Sequence, residues 1–195
     1  MPKKTIQYLI SGLFLSALCF AQTENGWVLT PPTTTYPVNP YTTATLKSST
    51  EPTAALVLSS KTEHFDSPRR DYTSLTAYLD VGDSDLQIES PRWGKDCTNR
   101  PCTTAMISPA GIKVELVFDG GKPINDLWGS GDGSAIMPTG GNREFTKTQL
   151  LDKLKVSKNL IVSYTLHGGI HKSATFDVSS SSAAIDSVCP QGCEL

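Results

Sequence analysis

His167 and His171 stand four positions apart, the H-x3-H spacing that can present two imidazoles to one metal ion on a helix face. Gly168 and Gly169 lie between them and break any helix, so the pair reads as exposed residues flanking a hairpin turn. A metal-dependent hydrolase using His167 and His171 would still lack a third and a fourth ligand. His64 sits in the polar stretch from Lys61 to Asp71, which reads as a solvated loop. Nucleophilic catalysis needs a positioned Ser or Cys with a base and an orienting group, and no G-x-S-x-G elbow occurs. The glycine-rich run Gly129-Ser130-Gly131-Asp132-Gly133-Ser134 lacks the Lys-Ser/Thr ending of a phosphate loop and the spaced acids of a calcium loop. It reads as a strand-connecting loop, and Arg69-Arg70 as an isolated surface charge. No catalytic residue, resident metal or cofactor is expected.

The cysteines carry a clearer signal. Cys97, Cys102, Cys189 and Cys193 form a C-x4-C and a C-x3-C pair, neither with the C-x2-C spacing of a zinc ribbon. In an exported chain such a set reads as disulfides. Three pairings are open. Local closure suits the turns at Pro101 and Pro190-Gln191-Gly192, whereas long-range pairing would tie the C-terminal tail to the middle of the domain.

Export is expected from the first twenty-one residues. Met1-Pro2-Lys3-Lys4 is a short basic start, and Ile6 to Ala21 follows without a charge but interrupted by Gln7, Ser11, Gly12 and Ser16. That is the layout of a cleaved signal peptide rather than of a spanning helix of about 20 apolar residues. A cut after Ala21 puts Cys19 and Ala21 at the −3 and −1 positions and removes the fifth cysteine. It leaves 174 of the 195 residues, with fifteen basic against nineteen acidic side chains and a formal charge of −4. An acidic balance gives no support to nucleic-acid binding, and no stable membrane insertion is expected after cleavage.

These residues need elements to position them. Residues 22–53 hold ten Thr and five Pro, which reads as an extended segment, with Trp27-Val28-Leu29 a candidate first strand docked on the domain. The globular domain is expected over 54–188, followed by a cysteine-bearing tail over 189–195. Ala54–Leu58 is a short apolar run. Strict alternation marks strands at Leu75–Val81, Leu86–Ile88, Ile112–Phe118, Leu160–Leu166 and Lys172–Val178. The last two, joined across Gly168-Gly169, are the clearest hairpin. Thr146 and Gln149 form a capping box, with Phe145 and Leu150 at the staple spacing, so a helix starts at 147; a second runs from about Ser181 to Val188. Fold class is therefore mainly β: an antiparallel sandwich or barrel-like domain with one or two short helices.

The order of features in the second half is also familiar. Ile112–Asp119, Leu127-Trp128, Gly131–Ile136, the helix around Phe145–Leu154, the strand Leu160–Tyr164, then Ser173–Val178 and Ala183-Ala184-Ile185 follow one another. Over residues 75–189 this resembles the VasI-type exported accessory proteins encoded with type VI secretion systems, and more distantly is similar to the invasion-associated-locus-B family. Family members tend to carry a cysteine where Thr76-Ala77-Tyr78 stands here. The Cys97–Cys102 loop and the Thr/Pro-rich segment also differ. The resemblance implies a small periplasmic β-rich module with no assigned enzymatic activity, and it carries over no site residue.

Together these readings point to a periplasmic or secreted, non-enzymatic module that binds another envelope or extracellular protein. Trp128, Gly131 and Asp132 are the candidate contact residues, with Trp128 as an anchor beside the Gly129–Gly141 loop. The alternative is an inhibitor of an envelope-directed hydrolase such as lysozyme. Intact-mass analysis of the exported protein should give a chain beginning at Gln22; a mass that retains Met1–Ala21 would refute the cleavage.

Overall fold

The computed structural model describes residues 22–24, 26–33, 40–66, 69–82, 86–88, 92–96, 103–108, 111–130, 135–138, 146–190 and 192–193. Cys97, Cys102, Gly131, Asp132, Phe145 and the segment 1–21 lie outside them.

The described residues form twelve strands: β1 (Gln22–Glu24), β2 (Trp27–Thr30), β3 (Tyr41–Lys47), β4 (Ala55–Asp66), β5 (Arg69–Asp80), β6 (Arg92–Asp96), β7 (Thr103–Ser108), β8 (Ile112–Phe118), β9 (Ile124–Ser130), β10 (Ala135–Pro138), β11 (Asn159–Leu166) and β12 (Ile170–Asp177). The helices are α1 (Lys147–Val156) and α2 (Ser181–Val188). Ten strands form one antiparallel sheet in the order β1-β2-β3-β4-β5-β10-β9-β8-β11-β12, and β6 pairs with β7 as a separate ribbon. The protein is thus mainly β and antiparallel with two short helices. The sheet ends in two edge strands, β1 and β12, so no closed barrel forms.

Period-two burial fixes the inner face. Ile112, Val114, Leu116 and Phe118 on β8, Leu160, Val162 and Tyr164 on β11, and Ala174 and Phe176 on β12 all enter one core. Ala44 and Leu46, Leu56 and Leu58, and Leu75, Ala77 and Leu79 join it from β3, β4 and β5. α1 is opened by the expected capping box: Thr146 Oγ1 accepts from Gln149 N, and Gln149 Oε1 accepts from Thr146 N at 2.7 Å. It buries Leu150, Leu151 and Leu154, while Lys153 and Lys155 lie in the last turn, where cations suit the helix dipole. α2 buries Ser181, Ala184, Ile185 and Val188, the i, i+3, i+4, i+7 stripe of a helix with one covered face, and packs against β2, β3 and β4.

A flat sheet would set β3 and β12, seven places apart, about 34 Å from each other. Instead the turn after β3 bonds directly to β12. Ser49 N donates to the Thr175 carbonyl at 2.9 Å, Thr175 N donates to Ser48 Oγ and Thr50 Oγ1, and Lys172 Nζ meets Glu51 Oε2 at 2.7 Å. The sheet is therefore curled, with the turn covering part of the β12 edge. A second latch lies at Asp119, which adopts a left-handed φ of 50° at the end of β8. Its carboxylate accepts from Lys158 N and Asn159 N, both at 2.8 Å, and so fixes the link between α1 and β11. Gly111 precedes β8 because the backbones crowd there: a Cβ would lie 2.9 Å from the Trp128 carbonyl oxygen.

Three expectations are corrected. The Thr/Pro-rich segment is not a spacer outside the fold throughout 30–53, since Tyr41–Lys47 is an inner strand between β2 and β4 with Ala44 and Leu46 buried. The sheet accordingly begins with β1 and β2, not at Ala54. The polar stretch 61–71 is no loop: Lys61–Asp66 and Arg69–Asp71 continue the β4–β5 ladder, which pairs from Ala55↔Asp80 to Asp66↔Arg69. The glycine-rich run is also partly strand, with Gly129 and Ser130 ending β9, while 131–134 lie outside the described residues.

The backbone amides of Asn159 and then Lys158 hold the Asp119 carboxyl below its usual range. A depressed folded pKa stabilises above the unfolded value of about 3.9 and is lost as pH falls through the lower folded value. Asp119→Asn keeps a residue that tolerates left-handed backbone but removes the titration. It should lower the melting temperature at pH 7 and shrink that loss at low pH; an acid limb identical to the parent's would refute the assignment.

Candidate functional site

The inner face of the β3–β4–β5 sheet changes chemistry along its length, one rung at a time. Leu46, Leu56 and Leu79 share a rung, then Ala44, Leu58 and Ala77, then Thr42, Ser60 and Leu75, then Thr62 and Thr73. The period is unbroken while apolar side chains give way to hydroxyls. At that transition α2 ends, and a cleft of about 730 Å³ opens beside it. Thr42, Ser60, Thr62 and Thr73 supply hydroxyls to it, and Pro32 and Pro40, on either side of the β2–β3 connection, line it as well. Among the described residues the remaining wall is Val188, Cys189, Pro190, Gly192 and Cys193.

That wall is held by two devices. Ser60 Oγ, buried, donates to the Val188 carbonyl at 2.6 Å and so satisfies an acceptor left over at the helix end. Cys189 and Cys193 are joined as a disulfide, and Gly192 N donates to the Cys189 carbonyl at 2.9 Å within the ring, where Gly192 takes a φ of 80°. Of the three pairings open to the sequence, local closure is the one formed at the C-terminal pair. On the floor, Thr62 and Thr73 hydroxyls bond to each other at 2.9 Å. No lining side chain among the described residues carries a charge.

Other chemistry-bearing residues are arranged differently. Trp128 is 1% exposed, and its indole N–H donates to Asp126 Oδ2 at 3.0 Å, while Asp126 Oδ1 accepts from Leu127 N. As a surface anchor Trp128 is corrected: alternation on β9 turns it into the core, where its N–H needs the buried carboxylate. His167 lies in the β11–β12 turn and His171 on β12, both exposed; His171 Nδ1 meets Thr165 Oγ1 at 3.1 Å, its register partner. Among the described residues no three His, Cys, Asp or Glu side chains cluster to hold a metal ion. Tyr164 is nearly fully buried; that burial, with Glu51 adding, pushes its phenol up to about 12, the opposite of an activated nucleophile.

No protein-family model, curated protein or solved structure matches this chain.

Sequence reasoning singled out Cys189 and Cys193 but missed Thr42, Ser60, Thr62 and Thr73. Their signal was the even spacing that continues Leu56 and Leu58 into Ser60 and Thr62, and Leu75 back into Thr73. Ser60→Ala leaves the Val188 carbonyl unpaired and should cost about 1–3 kcal/mol, read by urea unfolding. An unchanged unfolding midpoint would show that this bond does not hold the helix end.

Proposed function

We propose that this protein is an exported, non-enzymatic binding module of the cell envelope, in the periplasm or secreted, and that the cleft beside the Cys189–Cys193 ring is its contact site for another protein. The observation that carries this reading is the lining: hydroxyls, prolines and a disulfide surround a concave site, and no acid or base is among its described lining residues. Such a surface can hold a partner through hydrogen bonds and shape. The disulfide suits an oxidising compartment, in keeping with the expected signal peptide. A link to a type VI secretion apparatus is part of this proposal only through the resemblance over residues 75–189.

A photo-reactive amino acid at Thr62, on the cleft floor, tests the site in the protein's own cell envelope, with the same group at Lys122 in the exposed β8–β9 turn as control. Thr62 should yield one discrete protein adduct that Lys122 does not. No protein adduct at Thr62, or equal adducts at both positions, would place the contact elsewhere.

A further inference from the structure

We infer that the β3–β4 turn, residues 48–53, is an acid-released clasp: a cover on the β12 edge, held shut by the charge on Glu51, whose lifting uncovers that edge. It is independent of the cleft, which lies at the other end of the β3–β4 ladder.

The turn can part from β12 without opening the core. Leu46 and Ala54, which flank it, are buried, whereas residues 48–53 are half-buried or exposed and carry no large apolar side chain. Ser48 N donates to the Ala54 carbonyl and Ala54 N to the Glu51 carbonyl, both at 3.0 Å. These bonds are internal, so the turn keeps its own shape when it leaves its neighbour. Local openings of this kind, with few buried apolar contacts to break, are the least costly that a fold has.

Two kinds of bond hold the turn down. Ser49 N and Ser49 Oγ donate to the Thr175 carbonyl, Thr175 N donates to Ser48 Oγ and Thr50 Oγ1, and Thr50 Oγ1 donates to the Ser173 carbonyl at 3.3 Å. These are neutral bonds for which water is a nearly equal partner, so each adds little net. The Glu51 contact differs because it is charge-assisted and engages both carboxylate oxygens. Oε2 accepts from Lys172 Nζ at 2.7 Å, and Oε1 from the Thr53 hydroxyl at 2.9 Å. With 14% of its side chain exposed, Glu51 is screened less than an ion lying open on the surface.

Among the described residues, the charged and titratable groups that face Glu51 are Lys172 on β12 and the Tyr164 phenol on β11. His171 turns instead to Thr165. A lysine is cationic and a phenol neutral throughout the acid range, so Glu51 is the group that switches. Lys172 and then Thr53 hold its carboxyl below the usual range. The stabilisation is fully present above the open-state value of about 4.3 and is lost as pH falls through the lower closed-state value. Below that, neutral bonds alone hold the turn. When it lifts, Thr175 N, the Thr175 carbonyl and the Ser173 carbonyl are freed on an edge strand, and such a row of groups is what a further strand bonds to.

Exchange of the Thr175 amide hydrogen reads the clasp directly, because that hydrogen points out of the sheet to Ser48 Oγ and Thr50 Oγ1. The test follows it by NMR in the purified, isotopically labelled protein from pH 7 to about 3, with rates divided by those of an unstructured chain at the same pH. At pH 7 Thr175 should be protected in the parent. Its protection should be about three- to tenfold lower in Glu51→Gln, in Lys172→Gln and in the double variant alike, since all three leave only neutral bonds. Acid should bring the parent down to the variants' level, while the amides of β11, paired on both sides, stay protected and the variants show no such fall. Equal protection of Thr175 in the parent and Glu51→Gln at pH 7 would overturn the inference. So would a loss at Thr175 that comes only together with β11, which is global unfolding. The same acid fall in Glu51→Gln would assign the trigger to another group and overturn it as well.

Discussion

The turn between β3 and β4 reaches across the molecule to β12, and this contact lets one long sheet enclose its own apolar face. Backbone and hydroxyl groups of Ser48, Ser49 and Thr50 meet Thr175 and Ser173, and Glu51 meets Lys172 where the core would otherwise open. Glu51 gains from the arrangement: the Lys172 ammonium and the Thr53 hydroxyl hold its carboxyl below the usual range. Tyr164, the register partner of Lys172, lies just inside. The same contact answers the hazard of an exposed strand edge, because the groups at Thr175 that could template another strand are already bonded.

Once the sheet is curled, its two ends do different work. At the Leu46–Leu56–Leu79 end the inner face is apolar and sealed. At the opposite end the ladder of β4 and β5 runs on past the helices, and the inner face turns to hydroxyls. A cleft forms there because α2 is only eight residues long and stops, pinned by Ser60, before it can cover the last rungs. The Cys189–Cys193 ring then keeps the chain after the helix beside the opening. The candidate site is thus a by-product of two lengths: a long hairpin and a short helix.

Much of the fold was legible because burial imposes a period. Ile112–Phe118 and the Leu160–Leu166 hairpin have one apolar face and read as strands at once. α1 was legible from Thr146 and Gln149, whose side chains do a defined geometric job. What escaped was the part of the ladder whose sequence is polar. Residues 61–66 are paired through their backbones, so nothing in side-chain hydropathy marks them. β3 escaped because prolines and threonines surround it, although Thr suits a pleated strand and Ala44 and Leu46 keep the period. Trp128 misled for a related reason: neighbouring glycines suggested a loop, while the residue belongs to β9 and faces inward. The hydroxyl floor was written in the sequence as parity, yet only pairing between strands distant in sequence shows that Thr42, Ser60 and Thr73 share one face.

The sheet is continuous in order, but its two halves are unequally joined. β1 to β5 follow one another as a meander of hairpins, and β8 to β10 form another, each ladder closed between chain neighbours. Between them, among the described residues, β5 and β10 share two register pairs, Ala135↔Asp80 and Ile136↔Leu79. Backbone bonding at that seam is therefore slight, and the side chains of Leu79 and Ile136, both wholly buried, carry the junction. Cooperative units divide where such ladders are thin. At the seam the two ladders are joined by a short run of described backbone pairs and by the shared core.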